Sequence, residues 1–283
     1  MRIETAGEPG DPQRPNEDYA SVVLPASGAG GAVVVLDGVT PPAGDDGCVH
    51  GVPWYTARLG GALLELSGSR RDMTLPQCLS EAIARTAEAH SSICDLSHPR
   101  TPQATVSTVR WDEETVEHLV LSDASLLLEA GDGTVTPVLD TRLDRLPEEV
   151  HALRRRVRSL PSGSAERSAA AATYVEAVEA QRNAPGGNGF YTAAADPDVA
   201  ALAVTGTTPR RDVRALLAMT DGASRWRDLF GFGDWGDLLA LARREGVQTL
   251  IDRVRAAESA DPAGTAFARF KRHDDATAVL VEW

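Results

Sequence analysis

The sequence predicts an α+β fold in which two antiparallel β-sheets pack as a sandwich and helices lie on the outer faces, giving α-β-β-α layers. Three observations lead there. Strand-like runs lie near both ends of the chain. Groups of strands alternate with pairs of helices, and a strand bundle between helix pairs is stable as stacked layers. No internal repeat or domain-scale linker interrupts the pattern, so residues 1–283 are expected to form a single domain.

The elements follow in order. Residues 19–24 read as a strand, residues 27–31 (SGAGG) as a turn, and residues 32–36 (AVVVL) as a second strand. That second run has no polar alternation, which predicts burial on both faces. Asp37-Gly38 ends it, and a Pro- and Gly-rich loop runs over residues 40–53. Helices are expected over 54–67 and 75–94, where apolar residues recur near helical spacing and Pro76 suits a first helical turn. The period then changes to two. Residues 104–110 and 116–121 form one hairpin, 125–129 and 135–139 another around Gly131-Asp132-Gly133, and together they predict an antiparallel sheet. Helices return over 143–158 and 165–182, followed by a loop over 183–189. A strand over 213–220 ends in Asp221-Gly222. Helices over 224–230 and 235–258 precede a last strand, 276–282.

Composition narrows the function. Lys and Arg number 28 against 41 Asp and Glu, a formal charge of −13. Backbone binding to nucleic acid needs clustered positive charge, so neither nucleic acid nor an anionic membrane is an expected partner. No apolar run approaches the roughly 18 residues of a membrane helix, and the N-terminus lacks the apolar core of a signal peptide. Cys48, Cys78 and Cys94 form no zinc motif and no CxxC, which suits a reducing cytoplasm. The four arginines at 154–156 and 158 read as a solvated helix face paired with Glu148 and Glu149. The aromatics Trp226, Phe230, Phe232 and Trp235 read as helix packing.

The chemistry lies in acids at strand ends. VVVLDG places Asp37 after one strand, LLAMTDG places Asp221 after another, and RHDDATAVLV places Asp274 and Asp275 before the last. Asp18 precedes the first strand, and VLSDAS sets Asp123 between two. A single such Asp ordinarily caps a turn. Several converging on one sheet edge would repel without cations, and an all-oxygen donor set suits Mg²⁺ or Mn²⁺. Glycine after Asp37 and Asp221 permits a sharp turn and brings a backbone carbonyl close to whatever the carboxylate holds. No Walker loop, HExxH, GxSxG or dinucleotide fingerprint offers rival chemistry.

In order and spacing, NED, VVLDG, SDAS, LLAMTDG and DDATAVLV, spread over residues 14–282, resemble the metal-dependent type 2C Ser/Thr protein phosphatases. The resemblance implies a β-sandwich with a dinuclear Mn²⁺ or Mg²⁺ site at one end. It implies hydrolysis of phosphoserine and phosphothreonine by a metal-bridging hydroxide, on a phosphorylated protein that is a Ser/Thr kinase target. Asp37 takes the bridging position and the Gly38 carbonyl the second metal. Asp221 and Asp274 take the first metal, Glu17 and Asp18 the acidic pair of the first motif, and Asp123 a third, weaker ion. The chain departs from the family pattern at several places. Arg225 stands where an acid often lies, which opposes a third ion, and SDAS lacks the family's Gly and Arg. Asp275 replaces an Asn, and Val39 stands where some members carry a His. The phosphate-binding Arg is displaced by one residue, to Arg14. His273, beside Asp274, is a further candidate for orienting a ligand. These departures keep two alternatives open: a weakened regulatory or binding module, and a hydrolase of small phosphate esters.

Overall fold

A computed structural model describes residues 1–26, 29–161, 163–187 and 189–283, so part of the expected 27–31 turn and of the 183–189 loop lies outside the described residues. Among the described residues ten strands are formed: β1 (Arg2–Glu8), β2 (Tyr19–Val23), β3 (Gly31–Gly38), β4 (Ala104–Trp111), β5 (Thr115–Leu121), β6 (Ser125–Ala130), β7 (Val135–Leu139), β8 (Val204–Pro209), β9 (Val213–Met219) and β10 (Ala276–Glu282). Seven α-helices accompany them among the described residues: α1 (Val52–Ser69), α2 (Leu75–Glu88), α3 (Glu148–Ser159), α4 (Ala165–Glu179), α5 (Asp221–Asp228), α6 (Trp235–Glu245) and α7 (Val247–Ala260).

Two five-stranded antiparallel sheets result, ordered β1-β10-β9-β6-β7 and β2-β3-β4-β5-β8. The four strands expected to share one sheet are divided between the two, because the chain changes sheet between β5 and β6 at Ser122–Ala124. The side-chain period of two makes the layers. In β3, Val33 and Val35 face the other sheet and meet Leu126, Leu216 and Val279. Val34 and Leu36 face outward and meet Tyr55, Leu59 and Leu63 of α1 and Leu79 and Ile83 of α2. Both faces of the strand are covered, which is why it carries no polar alternation. The second sheet behaves likewise: Leu217, Met219 and Leu280 pack under Trp226, Leu238, Leu250 and Ile251 of α5, α6 and α7. Trp226 and Phe230 are buried there and Phe232 stacks on Phe230, as expected of packing aromatics.

Several boundaries moved. α2 stops at Glu88, and the expected helix over 235–258 is broken at Gly246, whose φ of 93° no helical residue adopts. The expected helix over 143–158 is a short 3₁₀ turn followed by α3, with Pro147 just before it. β1 and β8, both unexpected, are edge strands. Arg155 pairs with Glu148 at 2.5 Å on the exposed face of α3, as anticipated.

Candidate active site

Register brings the acids together. β2 and β3 pair Tyr19 with Leu36, so one step further along the hairpin Asp18 faces Asp37. β6 and β9 pair Ser125 with Met219, so two steps further Asp123 aligns with Asp221. β10 runs beside β9, and the loop before it carries Asp274 and Asp275 to the same end. Gly38 and Gly222 serve close approach rather than a sharp turn, since neither has positive φ. A Cβ on Gly38 would lie 2.4 Å from Val52 Cγ1 and 2.5 Å from the Glu17 carbonyl oxygen; one on Gly222 would lie 1.9 Å from the Asp275 carbonyl oxygen.

A hydrogen-bond lattice holds the end of the sandwich. Thr220 Oγ1 donates to Asp18 Oδ2 at 2.9 Å and accepts from the Thr277 amide at 2.9 Å. Asp275 accepts the amides of Gly10 at 2.7 Å and Glu17 at 2.6 Å, which clamps the first-motif loop onto the loop before β10. Glu17 accepts from the Thr40 hydroxyl. Asp18 Oδ1 is buried with no hydrogen-bond partner among the described residues.

The carboxylates feel one another. Asp37 is pushed well above the ordinary carboxylate range by burial and by the charges of Asp221, Asp18, Asp123 and Asp274. Asp18 rises to about 8, chiefly through burial, against the lowering effect of its threonine partners. Asp221 rises to about 7 through burial and the charges of Asp274 and Asp123. Asp123 is raised by burial. A crowded, half-buried, all-oxygen set with an unsatisfied buried oxygen is the donor chemistry of a hard divalent cation.

Asp274 differs from the others. Its Oδ1 accepts from Lys271 Nζ at 2.6 Å and its Oδ2 from Arg225 Nη2 at 2.7 Å. Lys271 also donates to Thr40 Oγ1 at 3.0 Å; burial pulls its pKa down, but Asp274 and the neighbouring acids win and raise it to about 12. Arg225 spans to Glu258 at 2.6 Å, and that fully buried carboxylate also accepts from Arg255 at 2.8 Å and meets His273 Nδ1 at 2.8 Å. Arg225 therefore lies against a ligand candidate itself, not merely near a third-ion position, and His273 bonds Glu258 rather than an acid of the cluster. Lys271, Glu258, Thr220 and Arg255 escaped sequence reasoning. Lys271 left one signal: it is the only lysine in the chain, whose other 27 cations are arginines.

Two expected residues stand differently. Arg14 is exposed in its loop, where its amide donates to the Asp11 carbonyl at 3.0 Å. Ser122, in place of the family's glycine, adopts φ 67°, a left-handed conformation costly for a residue with a Cβ. Its amide donates to Asp140 Oδ2 at 3.0 Å and its hydroxyl to Asp123 Oδ1 at 3.4 Å, which hold the strained turn beside Asp123.

Acids converging at the edge of a two-sheet sandwich offer the all-oxygen donor set that a metal-dependent hydrolase uses. A family model of protein phosphatase 2C matches residues 11–283, and the chain belongs to that family of metal-dependent serine/threonine phosphatases. No curated protein matches the sequence. Among solved structures, the fold is shared with the serine/threonine phosphatase Stp1 from Staphylococcus aureus (12% identity, TM-score 0.56, covering 100% of this chain and 95% of that one). It is shared with the serine/threonine phosphatase PstP/Ppp from Mycobacterium tuberculosis (15% identity, TM-score 0.55, 99% and 97%). It is also shared with serine-threonine phosphatase 2C from Toxoplasma gondii (13% identity, TM-score 0.55, 99% and 94%).

Proposed function

We propose that residues 1–283 work as one phosphoprotein phosphatase unit in which Asp37, Asp221 and Asp274, with Glu17, Asp18 and the Gly38 carbonyl, hold two Mn²⁺ or Mg²⁺ ions. The substrate is a phosphorylated protein, the product of a Ser/Thr kinase, and the compartment is the cytoplasm; no described helix is long and apolar enough to cross a membrane. The observation that carries the ion site is the gathering of Asp18, Asp37 and Asp221 at one sheet edge, where burial first and neighbouring acids second raise all three, together with the orphaned Asp18 oxygen. When bound, two such ions supply positive charge for the phosphate oxygens and an acidified water for in-line displacement at phosphorus.

The chain's own groups do the rest. Thr220 holds Asp18 in orientation, and Asp275 fixes the loop that carries Glu17. Lys271 and Arg225 place local positive charge where the global −13 would otherwise repel a phosphate. Arg14 is exposed and free to reach a phosphate at the rim. Val39 has no ionisable side chain, so water protonates the leaving alkoxide. Hydrolysis of p-nitrophenyl phosphate and of phosphopeptides with Mn²⁺ tests the reading: Asp37→Ala and Asp221→Ala should abolish turnover, and equal rates in wild type and variants would sink it.

A second reading rests on Asp274, both of whose oxygens are engaged by cations. In it the site binds phosphate more effectively than it turns it over. Calorimetry beside a phosphopeptide panel separates the two, since tight uptake of two ions without turnover favours the second.

A further inference from the structure

Away from the acids, Cys48 meets the distant pair His90 and Cys94 behind the loop that follows β3. Cys48 lies in that loop, and His90 and Cys94 in the turns that follow α2. Cys48 Sγ is 3.5 Å from His90 Nδ1 and 3.3 Å from Cys94 Sγ, and all three atoms lie within 4.8 Å of one another. A tetrahedral zinc ion with Zn–S near about 2.3 Å and Zn–N near about 2.1 Å spaces its ligands about 3.8 Å (S to S) and about 3.6 Å (S to N) apart. The observed separations need only small side-chain adjustments to match.

The surroundings are built rather than accidental. The Asp95 amide donates to the Gly47 carbonyl at 2.8 Å, stapling the two segments together. The Asp46 carboxylate accepts the Cys48 amide at 2.9 Å and fixes the backbone that carries the thiol. The His50 amide donates to Cys48 Sγ at 3.5 Å, the kind of N–H···S bond that orients a sulfur ligand and tempers its charge. The Trp54 ring stacks on His50 at 4.1 Å and lies 5.1 Å from the buried His90 ring, which gives the cluster an apolar wall.

We propose that Cys48, His90 and Cys94 form a zinc-binding site, with the fourth position open to water or to the neighbouring His50. Two thiolates and an imidazole select zinc over the hard cations that carboxylates prefer, so the two sites partition different metals. No motif announces the site, because Cys48 and His90 are 42 residues apart. Its consequence is mechanical. Zinc ties the end of α2 to the loop that follows Asp37-Gly38 and carries Thr40, the partner of Glu17 and Lys271. Loading this site therefore steadies one wall of the active site without supplying a ligand to it.

The test uses the full chain, purified under reducing conditions, dialysed against excess Mg²⁺ and assayed for metal content. One zinc per chain is expected to remain. Cobalt substitution gives the readout that separates this site from the carboxylates: thiolate-to-cobalt charge-transfer absorption and the intense d–d bands of tetrahedral geometry, which an all-oxygen site does not produce. Cys48→Ser and Cys94→Ser should each lose at least half of that absorption and bind zinc at least roughly 10–100-fold more weakly, and the double variant should lose the absorption entirely. Cys78→Ala, which removes a buried thiol outside the cluster, should retain both. Absence of the charge-transfer band in wild-type protein overturns the proposal, as does a Cys48→Ser variant that binds zinc as wild type does. A Cys48–Cys94 disulfide persisting in the reduced preparation also overturns it.

Discussion

Arg225→Ala is the perturbation that probes the site most sharply. Arg225 makes a charge-assisted hydrogen bond to Asp274 at 2.7 Å, with both side chains mostly buried. Such bonds are worth about 1.5–3 kcal/mol net. At 1.4 kcal/mol per tenfold, freeing Asp274 should tighten Mn²⁺ binding roughly 10- to 100-fold. There is a structural cost. Fully buried Glu258 loses one of its three partners but keeps Arg255 and His273, so the loss of metal-free stability should be about 1–3 kcal/mol rather than the 3–5 kcal/mol of an orphaned buried charge. In a chain of this size that is a fall of roughly 5 °C in Tm. Lys271→Ala gives the internal comparison. Lys271 is 46% exposed, and exposed pairs contribute about 0.2–1 kcal/mol, so its removal should tighten binding less than about fivefold. Isothermal titration with MnCl₂, beside thermal melts of the metal-free variants, reads all of these quantities. Unchanged or weaker Mn²⁺ affinity in a folded Arg225→Ala protein would refute the argument that this cation competes for Asp274.

Three more outcomes are expected. Asp18 at about 8 and Asp221 at about 7 lie above their unfolded value of 3.8, so the folded metal-free protein binds protons more tightly; that stability is full below about pH 4 and is lost as pH rises through 7 to 8. Metal-free Tm should fall between pH 6 and 8.5 and Mn²⁺ should restore it, whereas a metal-free Tm that rises over this range contradicts the assignment. Asp37→Asn removes a crowded charge, so the metal-free protein should melt at or above the wild-type temperature while its Mn²⁺-dependent rise disappears; differential scanning fluorimetry with and without Mn²⁺ checks both. Ser122→Gly relieves a left-handed residue worth about 1–2 kcal/mol and incurs part of that in chain entropy, for a net gain of about 0.5–1 kcal/mol by urea denaturation; destabilisation would mean that the Ser122 hydroxyl contact to Asp123 outweighs the strain.

The elements legible in the sequence were those that carry their own hydrophobic pattern. β3, β9 and β10 are apolar on both faces because helices cover one and the partner sheet the other. β1 and β8 were not legible: RIETAGE and VTGTTP are polar or glycine-bearing edges that become strands only by pairing with β10 and β5. The acids were legible for a related reason. Each adjoins a strong strand or hairpin turn, so strand boundaries located Asp18, Asp37, Asp123, Asp221 and Asp274 before any fold was known.

Partnership between distant residues was decided only in three dimensions. Arg225 and Asp274 are 49 residues apart, and which acid the arginine engages depends on how α5 meets the loop before β10. Asp275 is indistinguishable from Asp274 in the sequence, yet it turns to two backbone amides while its neighbour turns to two cations. Cys48 lies 42 residues from His90 and 46 from Cys94, and meets that close-spaced pair because α1 and α2 fold back over β3. The sequence by itself determined the layers, the family and the acids at the sheet ends, because hydrophobic period and strand-terminal chemistry are local. The tertiary structure decided which charges share a site and which sulfurs meet, because pairing over long separations depends on register and helix packing that no local pattern encodes.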